Sequence, residues 1–154
     1  MIVVSDTSPI TSLAKIRRLD LLRTLYHSIT IPTAVDSELR RGQIVLPDWI
    51  QVQSAADRAV VAQLEADLDP GEAEALAVAL ELGADLVLID EKRGRDVAHR
   101  LGLRFVGLLG VVLDAKRQGH LRAVRPLLDE LAAEAGFWIR DDLRREILEA
   151  AGET

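Results

Sequence analysis

Two aliphatic runs that each stop at an aspartate set the frame for this chain: Ile2-Val3-Val4-Ser5-Asp6 and Leu86-Val87-Leu88-Ile89-Asp90. Each is short and continuous rather than alternating, the pattern of a strand buried on both faces. Helical spacing of apolar residues separates and follows them. Strands alternating with helices imply an α/β fold, a three-layer α/β/α sandwich around a mostly parallel central sheet. Ligands of such sheets bind outside the carboxyl ends of the strands. If the two runs are parallel neighbours, Asp6 and Asp90 project from one edge, separated by roughly the ~5 Å strand spacing.

The remaining elements follow from periodicity and punctuation. Ile10, Leu13 and Ala14 mark a first helix, and Leu19, Leu22 and Leu25 a second. Ile29-Thr30-Ile31 reads as a strand closed by Pro32, and residues 33–41 as a short helix with Val35 and Leu39 inward. Residues 49–52 suggest a weak edge strand and residues 58–68 a helix. Asp69-Pro70-Gly71-Glu72 opens the clearest helix, which Gly83 stops after Leu82. A helix over 93–101, a strand over 104–106 and helices over 108–118, 124–135 and 143–150 complete the chain. The leucine-rich helices at 19–25 and 108–113 suit either a dimer face or the core. Gly136-Phe137-Trp138-Ile139 reads as a packing segment or subunit contact rather than a base-stacking platform.

No linker, repeat or low-complexity segment divides the 154 residues, so one domain over 1–154 is expected. Cysteine is absent, which removes disulfides, thiol nucleophiles and cysteine-containing zinc sites. His27, His99 and His120 are too far apart in sequence to form a metal-binding pair. Met1 leads straight into the first strand without a basic, apolar leader, and no apolar run reaches the ~20 residues of a membrane helix. A soluble cytoplasmic protein with no membrane partner is expected. With 19 basic and 25 acidic residues the net charge is −6, which by itself argues against nonspecific nucleic-acid binding.

Single acids have structural as well as functional readings. Asp6 suits the N-cap of the helix that follows it, with Pro9 in the first turn. Glu72 completes a capping box with Asp69. On the helical wheel Ala73, Leu76, Ala77 and Leu80 define the core face, Glu72 lies at its border, and Glu74 and Glu81 fall on the far, solvated side. Asp36 and Glu38 flank the Val35/Leu39 face equally, and periodicity does not choose between them.

In order and spacing, Val4-Ser5-Asp6-Thr7-Ser8-Pro9-Ile10, Leu19-Asp20-Leu21-Leu22, Ile31-Pro32-Thr33-Ala34-Val35 with Glu38, Gly71-Glu72-Ala73-Glu74-Ala75-Leu76 and Leu88-Ile89-Asp90 resemble the PIN-domain family. The likeness is to the prokaryotic branch with an Asp-Thr-Ser-Pro start and a Gly-Glu-Ala-Glu-Ala helix, and it covers nearly the whole chain. It implies a PIN-like α/β/α sandwich and metal-dependent ribonuclease activity. It also implies an RNA substrate, a toxin role with a cognate antitoxin protein, and a homodimer. The family's four acidic positions fall on Asp6, Glu38, Glu72 and Asp90, which selects Glu38 over Asp36. The chain departs from the pattern at Leu88, where many members carry a small hydroxyl residue, and at Glu72, where many relatives use Asp. Glu91 and Asp96 stand close to the fourth position and are candidates to assist it.

Without cysteine or paired histidine, the resemblance implies an all-oxygen site for Mg²⁺ or Mn²⁺. Asp6, Glu72 and Asp90 are the implied metal ligands, Glu72 directly or through water, and Glu38 acts through water or orients the nucleophile. Lys15, Arg17, Arg18, Arg40, Arg41, Lys92, Arg93 and Arg95 follow the acidic positions and suit either a phosphate-binding rim or an ordinary solvated surface. Removing the four acids from the balance leaves 19 − 21 = −2. A non-catalytic PIN-like binding or regulatory module is the alternative. A phosphoryl-transfer domain with an aspartate nucleophile at Asp6 fits less well, because Ser8 stands where a second aspartate is wanted.

Overall fold

Val3, Val4, Ile29, Ile31 and Val87 are almost wholly buried. They form the middle of a five-stranded parallel sheet in the computed structural model, which describes residues 1–153. Its strands are β1 (Val3–Ser5), β2 (Ile29–Pro32), β3 (Ile50–Gln53), β4 (Leu86–Leu88) and β5 (Phe105–Val106), in the order β3-β2-β1-β4-β5. All four pairings are parallel, with Val4 opposite Thr30 and Ser5 opposite Leu88. β3 is an edge strand whose Gln51, Val52 and Gln53 are exposed, as the weak alternation of residues 49–52 leads one to expect.

Nine helices cover the sheet among the described residues. Successive strand residues point to opposite faces. Val3 and Leu88 therefore join one apolar cluster while Val4, Val87 and Ile89 join the other. The first cluster is closed by α1 (Thr7–Lys15), α2 (Asp20–Tyr26), α3 (Thr33–Arg41), α7 (Leu108–Arg117), α8 (Arg125–Ala135) and α9 (Asp141–Ala150). The second is closed by α4 (Arg58–Leu64), α5 (Pro70–Leu82) and α6 (Lys92–Arg100). The three layers of the sequence reading are present. Leu21, Leu22, Leu108, Val111 and Val112 lie buried in the first cluster, so the leucine-rich stretches of α2 and α7 form core.

The chain leaves β1 for β2 and β3 on one side and returns to build β4 and β5 on the other. The strand order thus reverses between β1 and β4, and a crevice opens there beyond the carboxyl ends of the two strands. Asp6 and Asp90 follow those ends.

Three expectations are corrected, and the packing segment at 136–139 is present in part. α4 stops at Leu64 instead of running to residue 68, because the chain tightens into a turn there, with the Ala66 amide bonded to Gln63 and the Asp67 amide to Leu64. α9 begins at Asp141, where Asp141 and Asp142 supply the negative first turn that favours a helix start. In the 136–139 segment Phe137 and Ile139 pack against the core, but Trp138 is 77% exposed. α5 is buried on every side from Gly71 to Ala79 and emerges only at Pro70 and in its last turn. A single core face therefore does not describe it: Leu80 is 40% exposed, and Glu74 is buried.

The contrast within α5 is testable. Leu76→Ala empties a fully buried position and is expected to cost about 2–5 kcal/mol. Leu80→Ala, in the emergent turn, is expected to cost less than about 1 kcal/mol. Urea unfolding of the two variants checks the difference, and equal losses would contradict the placement of that turn.

Candidate active site

β1 carries Asp6 into the crevice and a ladder bond holds it there: the Asp6 amide donates to the Leu88 carbonyl at 3.0 Å. Asp6 occupies the N-cap of α1 in extended geometry, yet its side chain makes no capping bond. The carboxylate is instead buried, 6% exposed, and faces the crevice.

Glu72 divides its carboxylate between structure and site. The capping box is formed: the Glu72 amide donates to Asp69 Oδ1 at 2.8 Å, and the Asp69 amide donates to Glu72 Oε1 at 3.2 Å. This fixes the first turn of α5. Oε2 of Glu72 is buried and has no hydrogen-bond partner. Buried polar atoms without a partner are uncommon and call for an explanation.

Glu38 arrives from α3. A Cβ built on Gly71 would stand 2.7 Å from Glu38 Oε1 and 3.3 Å from Asp6 Oδ1, so the two carboxylates converge on the bare face of that glycine. Glycines back two of the other acids as well. A Cβ on Gly94 would come within 3.0 Å of Glu72 Oε2, and one on Gly107 within 3.0 Å of Asp90 Oδ1. Asp36, the competitor of Glu38, is bound to Arg40 one turn on at 2.9 Å.

Asp90 is oriented by two donors. The Leu108 amide, at the start of α7, donates to Oδ1 at 2.7 Å, and the Ser8 hydroxyl donates to Oδ2 at 3.3 Å. Leu88 thus leaves β4 without the expected hydroxyl, and Ser8 brings one to Asp90 from α1. Asp69 is an acid that periodicity treated only as a cap, although its charge also faces Asp6. Of the two neighbours considered for Asp90, Asp96 is tied to Lys92 at 2.9 Å. Glu91, Lys92 and Arg93 share with Glu72, Asp69 and Asp96 a cleft of about 670 Å³.

Several basic residues of the expected rim are engaged within the fold, Lys92 and Arg93 among them. Arg18 lies 3.8 Å from Glu130, Arg40 holds Asp36, and Arg93 donates to the Asp67 carbonyl at 3.1 Å. Arg95 has a buried Nε without a partner.

Burial and crowding perturb the acids. Asp6 is pushed up to about 7, first by loss of hydration and then by the charges of Asp69, Glu72 and Glu38, with the Thr7 amide opposing. Glu72 is raised chiefly by burial, and Asp69 contributes in both directions through its amide and its charge. Burial also raises Asp90, against the Leu108 amide, the Ser8 hydroxyl and the charge of Arg95.

The donor set suits a hard divalent cation: carboxylate oxygens only, two of the acids deeply buried, one with an orphaned oxygen, and glycines where a Cβ would fill the space between them. Among the described residues no three such side chains are already drawn together in a ligand set.

Two expectations follow. Asp6 binds its proton more tightly in the folded than in the unfolded chain, so the metal-free chain loses stability as pH rises from about 4 through about 7. Asp6→Asn lacks this proton. The stability of wild type relative to Asp6→Asn should therefore fall between about pH 5 and about pH 8 in chelator. Thermal melts at the two pH values measure it, and a constant difference contradicts it. Gly71→Ala should weaken Mn²⁺ binding by at least about tenfold through displacement of Glu38 and Asp6. Calorimetric titration reads that loss, and unaltered affinity would show that the glycine face is not needed.

The model of the DUF3368 family, described as a PIN domain, matches residues 2–153. No curated protein sequence matches the chain. PIN domains are in general nucleases, hydrolases that use divalent metal ions. No described helix is long and apolar enough to cross a membrane. With the match spanning nearly every residue, and an all-parallel sheet whose switch point gathers carboxylates, this chain belongs to the PIN-domain family.

Proposed function

We propose that the chain is a single-domain, Mg²⁺- or Mn²⁺-dependent endoribonuclease with Asp6, Glu38, Glu72 and Asp90 as its catalytic acids. The observation that carries this reading is the pairing of a buried Asp6 with the orphaned Oε2 of Glu72 beyond the ends of β1 and β4. Asp6, Glu72 and Asp90 would hold the cation, Asp90 in the orientation set by Leu108 and Ser8. A divalent ion held there would make a water more acidic and offset the charge of the phosphate.

The protein's own groups account for the rest. Glu38 Oε1, at the bare face of Gly71, accepts a proton from the attacking water. The water oxygen bonds to phosphorus as the bond to the leaving ribose oxygen breaks, and that oxygen takes a proton from solvent. Lys92 and Arg93 line the cleft beside Glu72 and contact flanking phosphates of the strand.

Within this reading the protein acts in the cytoplasm as the toxin of a toxin–antitoxin pair, as a homodimer inhibited by an antitoxin protein. The support for these finer roles is the sequence pattern of the Asp-Thr-Ser-Pro branch. The rival reading, a non-catalytic binding module, draws on the absence of a preformed three-acid ligand set among the described residues.

One substitution separates the two. Asp6→Asn should keep the fold and lower Mn²⁺-dependent cleavage of RNA by about a hundredfold or more. Equal cleavage by wild type and Asp6→Asn would overturn the assignment, and a wild type that neither binds Mn²⁺ nor cleaves RNA would favour the binding module.

A further inference from the structure

We infer that Glu74 is a positioning residue for the site: it clasps α3 onto α5 and thereby sets where Glu38 stands. The inference rests on the nuclease reading above. Glu74 belongs to the Gly-Glu-Ala-Glu-Ala segment, but the catalytic assignment leaves it without a role.

Its surroundings are unusual for a charged side chain. Glu74 is 8% exposed. Oε1 accepts the Ala34 amide, in the first turn of α3, at 3.0 Å. Oε2 faces the Arg58 guanidinium, with both terminal nitrogens at 3.4 Å. Pro32, at the N-cap of α3, offers no side-chain acceptor, so Glu74 provides the acceptor that α3 lacks. A carboxylate at a helix N-terminus is also favoured by the helix dipole.

The geometry then reaches the site in one step. Ala34 and Glu38 are four residues apart on α3 and share a face, and Gly71 and Glu74 are three apart on α5 and share a face. Ala34 meets Glu74 and Glu38 meets Gly71, so the two helices run in opposite senses through a contact fixed at two points. One point is the hydrogen bond from Ala34. The other is the close approach of Glu38 Oε1 to the glycine. Removing the bond frees the start of α3 at that point, while Val35 and Leu39 keep the helix seated in the core, so the carboxylate of Glu38 shifts without the helix leaving its place. Arg58 is largely exposed and adds little to the pair.

Calorimetric titration with Mn²⁺ tests this on the full chain, using wild type, Glu74→Ala, Glu74→Gln, Glu38→Gln and the double variant Glu38→Gln/Glu74→Ala. Melting curves accompany each titration to show that the fold is kept. Glu38 would support the cation through water, so Glu74→Ala should weaken Mn²⁺ binding by about tenfold. Glu74→Gln retains an oxygen acceptor for Ala34 and should restore most of that loss. In the Glu38→Gln background Glu74→Ala should add less than about a twofold change, because its effect passes through Glu38.

Wild-type affinity in Glu74→Ala would overturn the proposal. So would a loss of the same size with and without Glu38, which marks a general structural role. These outcomes leave the nuclease reading standing. A wild type that takes up no Mn²⁺, with Glu38→Gln unchanged from it, overturns the nuclease reading and this inference together.

Discussion

Several helices of this protein begin without an acceptor of their own, and carboxylates from distant parts of the chain close them. α3, α7 and α8 have no side-chain cap at their N-cap residues. Glu74 accepts the Ala34 amide of α3, and Asp90 accepts the Leu108 amide of α7. Glu153 accepts the Val124 and Arg125 amides at the start of α8. α4 has its own Asp57 cap, and Glu81 takes the two amides just before it. Each bond satisfies a donor that would otherwise be orphaned at a helix end, and each places negative charge where the helix dipole favours it. The tertiary arrangement of the helices depends on these long-range caps, because each ties a helix start to another element.

The crevice is where that device meets its opposite. Carboxylates taken out of water lose their hydration and then repel one another, and Asp6 shows the result in a pKa pushed up to about 7. The fold resists dispersal of the acids by giving each a separate anchor. Asp6 is held by the ladder bond to Leu88, Glu72 by the capping box, Asp90 by Leu108 and Ser8, and Glu38 by the placement of α3. Gly71, Gly94 and Gly107 supply the room, since a Cβ at any of them would press on a carboxylate oxygen. The same residues that begin α5 and α7 therefore shape the site, and secondary structure and chemistry are not separable there.

Much of this frame is legible in the chain. The continuous aliphatic runs locate β1 and β4, their closing aspartates locate the crevice, and Asp69-Pro70-Gly71-Glu72 with Gly83 bounds α5 at both ends. What periodicity misses has a physical cause in each case. α5 sits between α3, α4 and the sheet, so its burial has no preferred side, and a wheel that assumes one places Glu74 in solvent and Leu80 in the core. The end of α4 is a tightened turn in which Ala66 and Asp67 bond three residues back, and helical spacing of apolar residues does not register it. Asp36 and Glu38 are equivalent by face, yet Asp36-Ser37-Glu38-Leu39-Arg40 holds the decisive signal. Asp36 and Arg40 are spaced to pair along the helix surface, which leaves Glu38 free. The partner of Glu74 is forty residues away in sequence, and no local pattern announces it.

The excess of acids reads differently once their partners are known. A net charge of −6 suggests a field that repels polyanions. Yet Asp57, Asp69, Glu74, Glu81, Asp85, Asp90 and Glu153 all accept backbone amides. Their charge offsets the partial positive charge of helix ends and main-chain donors, so part of it is matched within the fold rather than projected from it. The arginines and lysines distribute less evenly. Arg18 and Arg40 face carboxylates at the surface, and Lys92 and Arg93, bonded to Asp96 and to the Asp67 carbonyl, stand in the cleft that Glu72 enters. A phosphate strand approaching that cleft meets cations at its wall and carboxylates at its base, an arrangement that the whole-chain sum of charges does not describe.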